Sequence, residues 1–401
     1  MVRQREKESR RVAASAIGGS PTRHVVGHED IRERLAGVFR TGRAAHAYLF
    51  SGPRGVGKTA IALEFAALVL CDREEPTACG TCRQCLSSGE LQHPDLHLLF
   101  PLPSKKAGSA DDDEREFASL ISSHKAALAH NPYMSSKPAK AKDIRIGLVR
   151  TLLHRTAIKP FQASRKVVVV LNADTMNDAT QNALLKALEE PAPDAYFLLT
   201  TENEGGLLPT IRSRCQRIRV SPLTSHEIAG ALVQSGTPEE QAILAAAMGD
   251  GSFSRALELS AANLSELQQR VIGFLRASAM CDPMELQTSA SALLDTGHLP
   301  EEIALEFLGL FLRDVAVLRA SGQQGSHLFL FHGFQETIQG VLTSYPQADF
   351  EEAVRAVDRA ADFLGRGYTR EWVLYALAIR LHECLGPRAS SNTKSTQKQH
   401  A

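Results

Sequence analysis

The sequence predicts a doubly wound parallel α/β domain followed by an all-helical region, and three observations carry that expectation. Between residues 23 and 222, short apolar runs of strand length alternate with helix-spaced segments. One of the runs, Lys166–Leu171, is four valines and a leucine behind a lysine, the near-continuous β-branched pattern of a parallel strand covered on both faces. From Ser225 onward the strand patterns stop, and amphipathic periods such as Ile303, Leu305, Phe307, Leu308, Phe311 and Leu312 take over.

The elements follow in order. Ile31, Leu35, Val38 and Phe39 share a face, which predicts a helix over Asp30–Phe39. Ala47–Phe50 is a buried strand running into Ser51-Gly52, and Thr59–Leu70 is a helix with few charges packed on it. After a cysteine-rich stretch, Cys71–Cys85, Leu96–Phe100 is a second strand. Residues 101–142 change character, with Pro, Lys, Ser and the acidic run Asp111–Glu116. Phe117–His130 is helical there, and the rest is expected to be an exposed insertion. A helix over Ile144–His154, the strand Lys166–Leu171, a helix over Thr180–Glu190 stopped by Pro191, and the strand Tyr196–Thr200 complete the alternation. Pro238–Met248 and Ser254–Leu259 are short helices flanking Gly249–Ser252. The expected organisation is a polar tail (1–22), an α/β domain (23–222), a small helical lid (223–262), a helical domain (263–386) and a Ser/Thr/Lys/Gln-rich disordered tail (387–401). No internal repeat is visible.

Composition narrows the function classes. With 43% hydrophobic and 22% charged residues, 401 residues can build two or three ordinary globular cores. Lys+Arg and Asp+Glu are both 45, so DNA contact would have to come from a local patch or an assembly. No apolar run reaches the roughly 18–20 residues of a membrane span. Met1–Arg11 is charged with no apolar stretch behind it, so a cytoplasmic location is expected.

Gly52-Pro53-Arg54-Gly55-Val56-Gly57-Lys58-Thr59 fits the spacing G-x-x-x-x-G-K-[ST], after a strand and opening a helix. Glycines let backbone N–H groups close around phosphate oxygens, and the helix N-terminus adds favourable partial charge. Lys58 would reach the terminal phosphates and Thr59 would offer a hydroxyl to Mg²⁺; the bland reading is a glycine-rich turn that binds nothing. An NTPase also needs carboxylates for Mg²⁺ and for the attacking water at the end of a neighbouring strand. Counting back from Asn182-Ala183-Leu184-Leu185-Lys186, those positions fall on Leu171 and Asn172, neither of them acidic. Asp174 lies beyond the strand end, either as a structural or capping residue or as a stand-in ligand. The site is equipped to hold ATP or ADP with Mg²⁺ and poorly equipped to hydrolyse it.

Four of the seven cysteines, Cys71, Cys79, Cys82 and Cys85, give C-x7-C-x2-C-x2-C, a set suited to tetrahedral structural Zn²⁺, with an iron–sulfur cluster as the weaker alternative. Cys215, Cys281 and Cys384 are scattered and read as small apolar residues. His93, near the cluster, reads as a surface or loop histidine.

The phosphate loop, the four-cysteine insertion, the run Asn182–Pro191 (NALLKALEEP) and Ile211-Arg212-Ser213-Arg214-Cys215 occur in one order. That order resembles bacterial clamp-loader AAA+ subunits of DNA polymerase III over roughly residues 23–260; beyond that the likeness is of length and helical class. The missing acidic pair is similar to the delta-prime branch rather than to the ATPase motor subunits. The resemblance implies an AAA+ fold with a helical collar after the lid. It also implies a hetero-pentamer with gamma/tau and delta subunits that places a sliding clamp on primed DNA, with no membrane role. It further implies that Arg214 is an arginine finger acting in trans on a neighbour's γ-phosphate, with Thr201 and Arg255 in the two sensor positions. Two rivals remain: a motor subunit hydrolysing its own ATP, and a zinc-dependent nucleic-acid-binding module. Zero net charge and 6% aromatic residues argue against the second.

Overall fold

The computed structural model describes residues 25–73, 77–103, 117–262, 264–294, 302–321 and 335–386. The expected tails, 1–22 and 387–401, and the acidic run of the insertion lie outside the described residues. The chain divides into two compact units: one of residues 1–237 with 249–261, the other of residues 238–248 with 262–401.

The first unit is built on a parallel sheet. Its strands are β1 (Ala47–Ser51), β2 (Leu96–Leu99), β5 (Lys166–Val170), β6 (Ala195–Thr201) and β7 (Gln216–Arg219), in the spatial order β2-β5-β6-β1-β7. Alternation along each strand divides the core. Tyr48, Phe50, Val167, Val169, Leu171, Leu198 and Ile218 face one side, against α1 (Glu29–Arg40) and α2 (Lys58–Leu70). Leu49, Val168, Val170, Phe197 and Leu199 face the other, against α5 (Ile146–Ala157) and α6 (Asp178–Glu189). Both faces are covered, which is why Val167–Leu171 carries no polar alternation and each of its residues is fully buried.

Between α2 and β2 lies the short helix α3 (Arg83–Gly89). The unit is completed by α4 (Ala118–His130), α7 (Pro209–Arg214), α8 (Ser225–Gln234) and α10 (Phe253–Ser260). Helix α8 opens on a capping box: Thr224 Oγ1 accepts from Glu227 N–H, and Glu227 accepts from Thr224 N–H at 2.8 Å.

The described part of the insertion departs from the exposed segment expected of it. Leu102–Pro103 (β3) pairs antiparallel with Ala141–Asp143 (β4), and Tyr133 is 3% exposed. The Tyr133 ring packs edge-on to Phe253 and beside Gly57, so this stretch folds inward although its neighbours are polar.

The second unit, in its described residues, is helical: α9 (Glu239–Met248), α11 (Leu264–Met280), α12 (Pro283–Leu294), α13 (Glu302–Ser321), α14 (Gln335–Ser344), α15 (Phe350–Gly365) and α16 (Arg370–Leu385). Phe274, Phe307, Phe311, Val357 and Leu381 fill its core. Asp349 caps α15 by accepting from Glu352 N–H at 2.9 Å. Among the described residues no helix is long and apolar enough to cross a membrane.

Candidate nucleotide and metal sites

The strand order places one edge of the sheet where chemistry can gather. β6 lies between β1 and β5, and all three run parallel, so the loops leaving their C-terminal ends meet. Gly52–Gly57 leaves β1, residues 171–174 leave β5, and Thr200 to Asn203 close β6. Gly52 N–H donates to Thr201 O at 3.3 Å, and Asn172 N–H donates to Thr200 Oγ1 at 3.1 Å.

The loop itself demands glycine at two points. Gly55 has φ +78°, and a Cβ there would fall 2.0 Å from Ser252 Oγ; a Cβ on Gly52 would fall 2.1 Å from Val220 O. Gly57, at φ +107°, is the N-cap of α2 and leaves that helix's first N–H groups pointing at the loop. Lys58 is buried, its Nζ donating to Gly52 O at 2.9 Å and Pro53 O at 2.6 Å. Burial pulls its pKa down, while the negative charges of Glu202 and Asp174 oppose that. A helix N-terminus, a cationic side chain and a glycine-permitted turn together form a cradle for a phosphate-sized anion.

The cleft over this loop is lined by Arg54, Lys58, Thr59, Asn172, Thr200 and Glu202, with further residues from the insertion and from α10. The sequence expectation named Thr201 at the end of β6, but it is Thr200 that lines the cleft. Thr201 is buried with its hydroxyl donating to Asp174 Oδ1 at 2.9 Å. That bond gives Asp174 a structural partner, and Asp174 also accepts from Glu202 N–H at 3.4 Å. Arg255 lies in the first turn of α10, where its N–H donates to the N-cap Ser252 Oγ at 3.3 Å; its neighbour Ser254 is the α10 residue that lines the cleft. Glu202, which puts a carboxylate on the cleft wall, and Thr200 were missed by sequence reasoning. Only the register of β6 against β1, Phe50 opposite Thr200 and Ser51 opposite Thr201, distinguishes the two threonines.

Leu171 is fully buried in the core, and Asn172 sits at φ 52°, ψ 53°, a left-handed conformation that Asn tolerates. Its Oδ1 accepts from Ser136 Oγ at 2.5 Å. No carboxylate occupies these two positions at the end of β5.

Arg214 lies in the last turn of α7. Its guanidinium pairs with Glu189 at 2.6 Å and donates to Thr210 O at 3.0 Å, with about a third of the side chain exposed. Cys215, the next residue, is buried, and burial pushes its thiol up to about 12, so it behaves as a small apolar residue. Cys281 departs from that expectation: it is exposed, at φ 54° just past the end of α11.

The four clustered cysteines converge. The Sγ atoms of Cys71, Cys79, Cys82 and Cys85 lie within 4.8 Å of one another, with Cys71–Cys82 at 3.9 Å and Cys79–Cys85 at 3.8 Å. A tetrahedral centre with metal–sulfur bonds near 2.3 Å has edges of about 3.8 Å, so the donor set fits Zn²⁺. Backbone N–H groups point at the sulfurs: Cys82 N–H to Cys79 at 3.3 Å, Cys85 N–H to Cys82 at 3.4 Å, Arg73 N–H to Cys71 at 3.4 Å. Such donors stabilise thiolate ligands. Burial pushes the Cys71 and Cys85 thiols up; at Cys79 the burial penalty is outweighed by donors from Thr81 and Cys82, which hold it down to about 6.

His93 is buried, not a surface residue. It shares a 2.7 Å hydrogen bond with Gln84 of α3 through Nε2, and its Nδ1 accepts from Asp95 N–H. Gln84 in turn donates to Gln162 O at 3.3 Å, so the cysteine module is tied to the sheet through its own helix.

Fold and site together define a parallel-sheet α/β protein with an anion cradle at the sheet's C-terminal edge and a four-thiol module appended to the helix that opens there. Residues 27–224 match the family described as DNA polymerase III, delta subunit. A DNA polymerase III subunit delta' of Pseudomonas aeruginosa is 37% identical over 177 residues, 43% of this chain and 43% of that protein. A DNA polymerase III subunit gamma/tau of Mycobacterium tuberculosis is 30% identical over 322 residues, 74% of this chain and 49% of that protein. The chain thus spans about half the length of these curated relatives. A solved structure of a DNA polymerase III gamma subunit-related protein from Thermotoga maritima is 15% identical and covers 88% of this chain and 99% of that one, at a TM-score of 0.38. Over residues 27–224 the chain is thus similar to the DNA polymerase III delta-subunit family, and in sequence to delta' and gamma/tau subunits of DNA polymerase III.

Proposed function

We propose that this chain is a delta-prime-type subunit of a bacterial DNA polymerase III clamp loader, one that helps place the sliding clamp on primed DNA without hydrolysing ATP itself. The observation that carries the reading is the pair at the end of β5. Leu171 is core, and the side chain of Asn172 is engaged by Ser136, where metal-dependent NTP hydrolysis needs carboxylates. Gly52–Thr59 then holds ATP or ADP with Mg²⁺ as a structural ligand, and sister gamma/tau subunits do the hydrolysis. Arg214, on a surface turn, reaches a neighbour's γ-phosphate in trans, released from Glu189 when that stronger anion arrives. The four cysteines hold a structural Zn²⁺ that cross-links α2 to α3. Residues 223–262 serve as a lid and 263–386 as a collar through which gamma/tau and delta subunits assemble into a hetero-pentamer in the cytoplasm.

A second reading, a gamma/tau-type motor, is favoured by the longer stretch over which gamma/tau relatives align and by the complete phosphate loop. ATP turnover distinguishes the two. The expected result is no turnover by the chain alone, and turnover in the reconstituted loader that falls by about tenfold or more with Arg214→Ala. Respectable turnover by the lone chain, abolished by Lys58→Ala, would establish the motor instead.

A further inference from the structure

The phosphate loop is covered on its free side by the chain itself. Asn131 starts a turn: its Oδ1 accepts from Tyr133 N–H at 3.0 Å and its carbonyl from Met134 N–H at 3.2 Å. The turn, with Pro132 fixing its φ, directs the Tyr133 ring inward. The ring stands edge-on to Phe253 of α10 with centroids 4.7 Å apart. It also lies against the loop, where a Cβ on Gly57 would come within 3.3 Å of Tyr133 Cε1. At its polar tip, the hydroxyl accepts from Val26 N–H at 2.7 Å. The Tyr133 ring thus lies beside the phosphate loop between Gly57 and Phe253 with its polar tip on a main-chain N–H, contacts of the kind a nucleobase requires: an aromatic neighbour and one edge on a backbone group.

The residues that follow line the same cleft. Ser136 donates its hydroxyl to Asn172, and its carbonyl is held by His124 Nε2 at 3.2 Å. Ser135 and Lys137 line the same cleft as Lys58 and Thr59. One continuous stretch therefore takes both the place beside the loop and the place next to the end of β5.

We propose that Asn131–Lys137 is an internal occupant of the nucleotide cleft, with Tyr133 in the place of the base, so that nucleotide binds only when the segment swings out. The inference rests on reading Gly52–Thr59 as a nucleotide loop. Its physical content is a two-state equilibrium: apparent affinity equals intrinsic affinity multiplied by the fraction of molecules with the segment open. The device also gives the insertion a task. The segment is anchored at one end by α4 and at the other by the β3–β4 pair, so it can move without unravelling the sheet.

The test uses the full chain and titrates Mg²⁺–ADP and Mg²⁺–ATP calorimetrically into wild type, Tyr133→Ala, Tyr133→Phe and the double variant Tyr133→Ala/Lys58→Ala. Circular dichroism and zinc content serve as controls for folding. The expected result is that Tyr133→Ala binds both nucleotides about tenfold or more tightly than wild type. Tyr133→Phe, which loses only the bond from Val26, falls between them, and adding Lys58→Ala removes the gain. Equal affinity of wild type and Tyr133→Ala overturns the internal occupant and leaves the nucleotide loop standing. No binding by any variant at millimolar nucleotide overturns the loop reading and the occupant with it. Hydrogen exchange on the wild type needs no variant: saturating ADP should deprotect peptides spanning 131–137, and binding that leaves them protected sinks the proposal.

Discussion

Asp95 offers the sharpest test of how the cysteine module is joined to the sheet. It is 1% exposed, and its carboxylate accepts three backbone N–H groups, from Phe161 at 2.7 Å, Gln162 at 2.7 Å and Ala163 at 2.9 Å. The same loop carries the carbonyl that Gln84 of the module holds. Asp95→Ala strips all three donors of their acceptor. Hydrogen bonds to a charged group contribute about 1.5–3 kcal/mol each, but three on one carboxylate are not additive and water reaches part of this surface loop. The net cost is therefore about 3 kcal/mol, and the transition of the α/β unit should fall by roughly 6–12 °C. The pH dependence has a definite sign. Burial raises the Asp95 pKa, but the three N–H donors outweigh it and the folded value lies below the usual carboxylate range. A depressed folded pKa contributes stability that is fully present above the unfolded value, about 3.9, and is lost as pH falls through the folded one. Differential scanning calorimetry of both proteins from pH 7 downward should show a gap that is full at neutral pH and closes under acid. A shift under about 2 °C at pH 7, or a gap that widens below pH 4, refutes the reasoning.

Two further outcomes follow from the same structure. Wild-type protein should contain close to one zinc per chain by atomic absorption. Cys82→Ser should lose it and lower the melting temperature, because that residue both contributes a sulfur and caps α3. Glu189→Gln should change stability by only about 0.5 kcal/mol, since its pair with Arg214 is partly exposed, so Tm by calorimetry moves about 1–2 °C. In a reconstituted loader that variant should retain the ATPase that Arg214→Ala loses. Loss of the rate with Glu189→Gln would instead make the pair, rather than the free guanidinium, the working unit.

The order of β1, β2, β5 and β6 and of the helices between them was legible because each carries its own local signal, whereas β7, whose Gln216, Arg217 and Arg219 are exposed around a buried Ile218, and the short β3–β4 pair went unpredicted. A covered parallel strand must be apolar throughout, as Val167–Leu171 is, and a phosphate loop must spend its glycines at fixed offsets, as Gly52 and Gly57 do. The convergence of the four cysteines was legible for the same reason, since C-x2-C brings sulfurs together through a single tight turn. What sequence could not supply was every fact that depends on residues far apart in the chain. Thr200 and Thr201 are identical in type and adjacent, and only the pairing of β6 with β1 and β5 turns one toward the cleft and the other toward Asp174. Tyr133 reads as one aromatic residue in a polar insertion, yet its hydroxyl meets Val26 across 107 positions and its ring meets Phe253. His93 and Cys281 exchanged their expected places, one buried by Gln84 and the other exposed at a helix end. Periodicity and spacing report a residue's relation to its neighbours within a turn or two. Which distant groups share a cleft is decided when the sheet closes its register and the helices cover it, and that closure alone put Tyr133 beside the loop.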